Sequence, residues 1–211
     1  MSISFLWTAI KKRQVRFYIW YYRVLFSMLG VRYGKKCNIL GKIYISGKGK
    51  VEIGDNFTFV SSGYVNPLCR NTKGAIYTST ESTIIRIGDN CGISSSCIWA
   101  HDSITIGNNV NIGADTYIMD NDAHPHDYLK RRMDYMNNVG WDAYTKEIPS
   151  APIVIEDDVW IGTRCNVLKG VHIGARSIIA AGSVVSKDVP SDVVAGGIPC
   201  KVIRPINMDF V

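Results

Sequence analysis

Residues 155–185 read IEDDVWIGTRCNVLKGVHIGARSIIAAGSVV, and an aliphatic side chain stands at every sixth position: Ile155, Ile161, Val167, Ile173, Ile179 and Val185. The same period joins Ile87 to Ile93 and runs through Ile106, Ile112 and Ile118. A fixed period announces a repeat architecture before any local propensity is consulted. Glycine follows the aliphatic residue in Ile53-Gly54, Ile87-Gly88, Ile106-Gly107, Ile112-Gly113, Ile161-Gly162 and Ile173-Gly174, with Asp or Asn next in Asp55-Asn56, Asp89-Asn90 and Asn108-Asn109. These residue types tolerate positive φ, so each hexad is expected to carry its own corner.

A second stripe lies two residues before the aliphatic one, where Cys91, Val110, Thr116, Val159, Cys165, Val171, Ser177 and Ser183 are small or β-branched. Positions two apart in a strand share a face, so both stripes are expected to point inward. Six residues are too few for a strand, a corner and a helix. The chain must therefore run flat, turn and run flat again, closing a triangular coil after about three hexads. The fold expected is all-β: a parallel β-solenoid around a narrow core.

The chain has 211 residues, of which 46% are hydrophobic, an ordinary composition for one globular domain. Six cysteines, at 37, 69, 91, 97, 165 and 200, form no C-x-x-C pair. They read as reduced thiols in a cytoplasmic protein, not as a disulfide framework. The net charge is +6, but residues 1–51 hold 11 Lys and Arg with no carboxylate before Glu52, leaving 13 basic against 18 acidic residues beyond. A nucleic-acid partner would want cations spread over the folded body, so none is expected.

Residues 1 to about 34 read as a basic aromatic helix, with Phe5, Trp7, Phe17, Tyr18, Trp20, Tyr21, Tyr22 and Phe26, ending near Gly30 or Gly34. Arg16 and Arg23 interrupt every apolar run before it reaches the roughly 20 residues of a spanning helix. The recurring charges and the lack of a small-residue cleavage site also argue against a signal peptide. Two readings stand for residues 1–30: weak peripheral association with the inner face of a membrane, or a cap on the open end of the solenoid. Residues 37–80 read as irregular first coils, and the repeat becomes regular from Ile84. Between about 120 and 151 no hexad occurs, yet the coil resumes in phase, so this insertion must loop out from one corner. Long ordered loops in compact domains carry function, and chemistry is expected there.

The ending Gly182-Ser183-Val184-Val185-Ser186-Lys187-Asp188-Val189-Pro190, followed by Val194-Ala195-Gly196-Gly197-Ile198-Pro199-Cys200-Lys201, resembles the hexapeptide-repeat acyltransferases, in particular the galactoside, maltose and nodulation-factor O-acetyltransferases. The resemblance covers residues 37–206, taken as the catalytic domain after an N-terminal segment 1–36. It implies a left-handed parallel β-helix, an exception to right-handed crossovers. It also implies acetyl-CoA as donor, no metal, and a homotrimer with three shared sites.

Ala123-His124-Pro125 looks like the Gly-His-Pro of the galactoside enzymes, whose histidine is the general base. An imidazole, titrating near neutral pH, suits that task. His126 is the rival, and Asp120 and Asp122 are candidates to orient the ring or to form Asx turns. A nucleophilic cysteine is disfavoured because the regular cysteines point into the core. A related branch of the fold binds zinc through three histidines, and His101, His124 and His126 supply the number, although the acyltransferase tail argues against it. For acetyl-CoA the resemblance assigns Trp160, Gly162 and Thr163 to the thioester end, with the Thr163 amide near the oxyanion. Ala180 and Ala181 match a pantetheine channel, Ala180 departing from the family's glycine, and Ser186, Lys187, Lys201 and Arg204 match phosphate contacts. The alternative for these cations is a solvated basic edge.

An acceptor-side asparagine of the family aligns with Ser94, and the N-terminal segment does not resemble that of the galactoside enzymes. The chain looks more like acetyltransferases of O-antigen, capsule or exopolysaccharide assembly, so a sugar hydroxyl is the acceptor expected. An amino-sugar N-acetyltransferase, an enzyme acting on an antibiotic or serine, and a non-catalytic solenoid scaffold are the other readings.

Overall fold

The computed structural model describes residues 3–206, with side chains from Lys12 onward; Phe5, Trp7 and Lys11 of the basic aromatic segment lie outside the described side chains. After one helix, Ile3–Met28, the chain winds into three long sheets that form the sides of a prism. The first sheet collects Arg32–Tyr33, Lys50–Ile53, Ile84–Ile87, Ser103–Ile106, Ile153–Ile155 and His172–Ile173. The second runs from Asn38–Gly41 through Thr58–Ser61, Gly92–Ser94, Asn111–Ile112, Trp160–Ile161 and Ile178–Ile179 to Val193–Gly196, and Lys201–Pro205 closes it as an antiparallel edge. The third holds Ile43–Gly47, Gly74–Thr78, Cys97–Ala100, Tyr117–Met119, Asn166–Val167 and Val184–Val185.

The period of six is the register of these sheets. On the second, Ile39, Phe59, Ile93, Ile112, Ile161, Ile179 and Ala195 stack rung on rung. On the third, Ile45, Ile76, Ile98, Ile118, Val167 and Val185 do the same. The second stripe is inside as well: Cys91, Val110, Thr116, Val159, Cys165, Val171, Ser177 and Ser183 are all buried. Its hydroxyls and thiols bond to backbone carbonyls, as in Thr116 Oγ1 to Gly162 O at 3.0 Å and Ser177 Oγ to Pro190 O at 2.7 Å. Polar atoms in so narrow a core are thereby satisfied.

The corners match the expectation at the asparagines and differ from it at the glycines. Positive φ falls on the residue after the Asp or Asn, at Asn56, Asn90, Asn109 and Asp158, and equally on Arg164 and Arg176. Most glycines of the Ile-Gly pairs serve another purpose: a methyl group on Gly107 would come within 2.8 Å of Asp157 N and of the Glu156 carbonyl carbon. Coils stacked at strand spacing leave no room there for a side chain. The first coils are also more regular than their sequence suggests. The solenoid already begins at Arg32–Tyr33, paired with Glu52 and Ile53, and the irregular spacing comes from the turn at 48–49 and from the excursion between Ser61 and Gly74. Tyr22 and Phe26 of the helix join the solenoid core, and the Tyr22 hydroxyl donates to Ile43 O at 2.9 Å and accepts from Ile43 N at 2.8 Å.

Candidate active site

The insertion leaves the third sheet after Met119 on a stalk built from its own ends. Asp122 N donates to Pro149 O at 3.1 Å, Ala151 N donates to Asp120 O at 2.9 Å, and Asn121 bridges Ser150. Asp120 is fully buried, and its carboxylate accepts from His101 N at 2.6 Å and Asp102 N at 2.8 Å, gripping the corner of the preceding coil. Burial pushes this carboxyl up, against those hydrogen bonds. Beyond the stalk Ala123 takes φ 61°, with its amide donating to Asn121 Oδ1 at 2.9 Å. Pro125 is buried, and between the two His124 is set facing outward.

Far from being a bare loop, the insertion carries two short helices, Met133–Val139 and Trp141–Thr145. The second presents Tyr144, 2% exposed, whose hydroxyl shares a 2.9 Å hydrogen bond with His124 Nδ1. Tyr144 stacks on Trp141 at 6.1 Å between ring centroids and meets the imidazole edge-on at 6.5 Å. Tyr144 was missed from the sequence, because no repeat or motif in the insertion distinguishes it from its neighbours.

The carboxylates expected beside the base serve elsewhere. Asp122 accepts from Lys169 Nζ at 2.7 Å and from His126 Nε2 at 2.5 Å, and only its carbonyl meets His124, accepting from the backbone amide at 2.7 Å. Burial raises the Asp122 carboxyl, but the hydrogen bonds from Lys169 and His126 outweigh it and hold it below the usual range. His101, His124 and His126 do not converge: among the described residues no group of three or more His, Cys, Asp or Glu gathers around one point. All six cysteines are free, and burial pushes the thiols of Cys91 and Cys165 up and that of Cys37 to about 11.

A groove of about 530 Å³ lies at the corner between the second and third sheets, lined by Arg70, Thr72, Asp115, Thr163, Arg164 and Ala181 among others. Its outer wall is the excursion, pinned by Asn66 Nδ2 donating to Ser94 Oγ at 3.2 Å and by the buried Cys69. Thr163, Ala180 and Ala181 thus share this corner with Ser94. Gly162 is buried, a methyl there coming within 2.6 Å of Ala181 N, so it permits stacking of the coils and offers no surface to a ligand.

Ser186 and Lys187 follow the third-sheet strand Val184–Val185, at the same edge as His124. Lys201 and Arg204 are exposed on the terminal antiparallel strand, and Trp160 is exposed on the second sheet. Within one chain the residues assigned from the sequence therefore divide between the two edges of the third sheet and the second sheet, which carries Trp160, Lys201 and Arg204. Lys169, which bonds Asp122 beside His124, is six residues after Thr163, a span of roughly 15–20 Å in extended chain.

Two family models match the solenoid: the bacterial transferase hexapeptide (six repeats) over residues 152–187 and the hexapeptide repeat of succinyl-transferase over 84–119. The galactoside O-acetyltransferase of Escherichia coli (strain K12) is 42% identical over 106 residues, 50% of this chain and 45% of that relative, so the chain spans under half of its length. WbbJ of the same organism, whose name provisionally assigns it lipopolysaccharide biosynthesis O-acetyl transfer, is 30% identical over 174 residues, 82% of this chain and 81% of the relative. A solved hexapeptide-repeat containing acetyltransferase from Vibrio cholerae superimposes with a TM-score of 0.54 at 30% identity, over 88% of this chain and 79% of that one. The hand of the coil follows from this kinship, and the fold is a left-handed parallel β-helix. With a relative matched over four fifths of both chains and the repeat recognised on either side of the insertion, this chain belongs to the hexapeptide-repeat acetyltransferase family.

Proposed function

We propose that this protein transfers an acetyl group from acetyl-CoA to a hydroxyl of a sugar in a surface-polysaccharide precursor, with His124 as general base. The observation that carries the reading is the exposed imidazole held at Nδ1 by the buried Tyr144 hydroxyl. With Nδ1–H donating to Tyr144 Oη, Nε2 keeps its lone pair for an incoming proton. Acetyl-CoA supplies the acyl group as a thioester. His124 Nε2 takes the sugar's hydroxyl proton as that oxygen bonds to the acetyl carbon, then returns it to the sulfur as the C–S bond breaks, leaving an O-acetyl sugar and a free thiol. The sugar class rests on the likeness to WbbJ and to the galactoside enzyme.

The residues present suit the donor. Thr163, Ala181 and Gly182 line the groove with small side chains, and Lys187, Lys201 and Arg204 are cations exposed to solvent that can meet phosphates. Because His124 and the groove lie on opposite edges of one sheet, we assign each site to two neighbouring copies, one giving His124 and the other Thr163 and Ala181. A closed threefold ring satisfies that pairing three times over.

The test is release of free thiol from acetyl-CoA across mono- and oligosaccharide acceptors, wild type beside His124→Ala. A loss of roughly 10²- to 10⁴-fold is expected, the worth of a general base. Turnover within a few-fold of wild type would remove His124 from the role.

A further inference from the structure

The N-terminal helix has two apolar faces, and the solenoid uses one. Tyr22 and Phe26 are buried in the core, with Tyr18 and Leu25 packed beside them. On the other side Phe17, Trp20, Tyr21, Val24 and Met28 are 54%, 61%, 42%, 45% and 78% exposed. Their spacing, i, i+3, i+4, i+7 and i+11, places them on one stripe along the helix. Phe17 stacks on Tyr21 at 6.0 Å and lies 6.3 Å from Trp20, so the stripe is a continuous aromatic surface. Phe17 and Tyr21 also border a shallow apolar groove with Tyr44, itself 65% exposed, which extends the surface onto the first coil. Lys12, Arg13, Arg16 and Arg23, all exposed, flank the stripe, and no acidic residue precedes Glu52 in the chain.

We infer that this outward face docks on an anionic lipid surface, the helix lying in the headgroup layer while its inner face stays fixed to the solenoid. The chemistry fits that occupant: amphipathic aromatic rings sit at the level of the headgroups, and cations beside them meet lipid phosphates at about 1 kcal/mol each. The helix itself carries five cations and no carboxylate, a balance that matches anionic phosphates better than a protein surface of ordinary mixed charge. Among the described residues no helix is long and apolar enough to cross a membrane, so contact is with one face of the bilayer. On this proposal the two readings that the sequence left open are compatible, since they concern opposite sides of one helix.

Co-sedimentation of the full-length protein with vesicles tests this, comparing pure phosphatidylcholine with a mixture of phosphatidylglycerol and phosphatidylcholine. Wild type should partition at least tenfold more strongly onto the anionic vesicles at low salt, and the advantage should shrink on adding salt. Phe17→Ser with Trp20→Ser should lose at least tenfold of that binding, and Arg13→Gln with Arg16→Gln several-fold, each with an unchanged melting temperature. Equal binding of wild type to both vesicles, or undiminished binding by the Ser variant, overturns the proposal. So does a shift of the Ser variant to a smaller oligomer, which would show the stripe covered by another copy. The readout is independent of catalysis, so failure here leaves the acetyl-transfer reading untouched.

Discussion

Replacing Tyr144 by Phe removes one oxygen from the insertion and little else. The ring remains to stack on Trp141 at 6.1 Å and to meet His124 edge-on, and the site is 2% exposed, so the shape of the support is kept. What is lost is the 2.9 Å hydrogen bond to Nδ1 that holds the ring in one orientation. A hydrogen bond of this kind is worth about 0.5–1.5 kcal/mol net, which converts to a loss of roughly 2- to 13-fold in turnover. That is well short of the roughly 10²- to 10⁴-fold expected for removing the imidazole itself. Initial-rate measurements at varied acetyl-CoA should place the loss in kcat with KM for the donor unchanged, because on the proposed mechanism Tyr144 positions the base, and it stands away from the groove. Thermal unfolding should be shifted by no more than a few degrees. If kcat stays at the wild-type value, the hydroxyl does not orient His124. If instead KM for acetyl-CoA rises with kcat intact, Tyr144 belongs to donor binding and the account of the insertion is wrong.

Gly107→Ala should destabilise by about 2–3 kcal/mol, because its methyl group meets the backbone of Glu156 and Asp157, whereas Gly30→Ala, with nothing within 4 Å, bears only the strain of its positive φ, about 1 kcal/mol. Melting curves should rank Gly107→Ala below Gly30→Ala, and parity between the two would undo the close-approach explanation. Lys187→Gln with Lys201→Gln should raise KM for acetyl-CoA several-fold while leaving KM for acetyl-pantetheine, which lacks the nucleotide, unmoved; a rise for both would place these cations outside phosphate recognition. Mixing and reassembling His124→Ala with Ala181→Trp, each inactive alone, should restore activity to roughly a quarter of wild type, since in random rings a quarter of the sites pair an intact base with an intact groove. No restoration on confirmed exchange of subunits would mean that base and groove come from one chain.

The solenoid was legible because a period of six is itself a structural quantity. Ile106, Ile155 and Ile173 occupy one ladder on the first sheet despite the 32-residue insertion about 120–151 between its coils, and the phase of the repeat alone says so. The corner glycines were read with the right positions and the wrong cause. From the sequence, Gly107 is equally consistent with a positive φ and with a neighbouring backbone, and only the stacked coil distinguishes them. His124 stood out through the proline beside it and the likeness of its triplet. Asp120 and Asp122 stood out for the same nearness in sequence, which does not fix where a carboxylate turns: Asp120, four residues before His124, turns to His101 N, and Asp122, two before it, turns to Lys169 and His126.

Tyr144 shows the limit of such reading. It lies twenty residues beyond His124 in a segment with no period, so nothing local ties its hydroxyl to the imidazole, and the contact exists only because the stalk at Asn121 and Ser150 folds the insertion back on itself. The proposed division of the site is illegible for a deeper reason. Periodicity tells which residues share a face of the prism, and it sets Thr163 and Ala181, three hexads apart, on one corner; His124, inside the insertion, has no place in it. It is silent on which corners would meet in the proposed ring, because that depends on how outer surfaces fit together and not on the spacing that builds each one. A repeat sequence specifies its own core thoroughly, and the base proposed here stands where the repeat is interrupted.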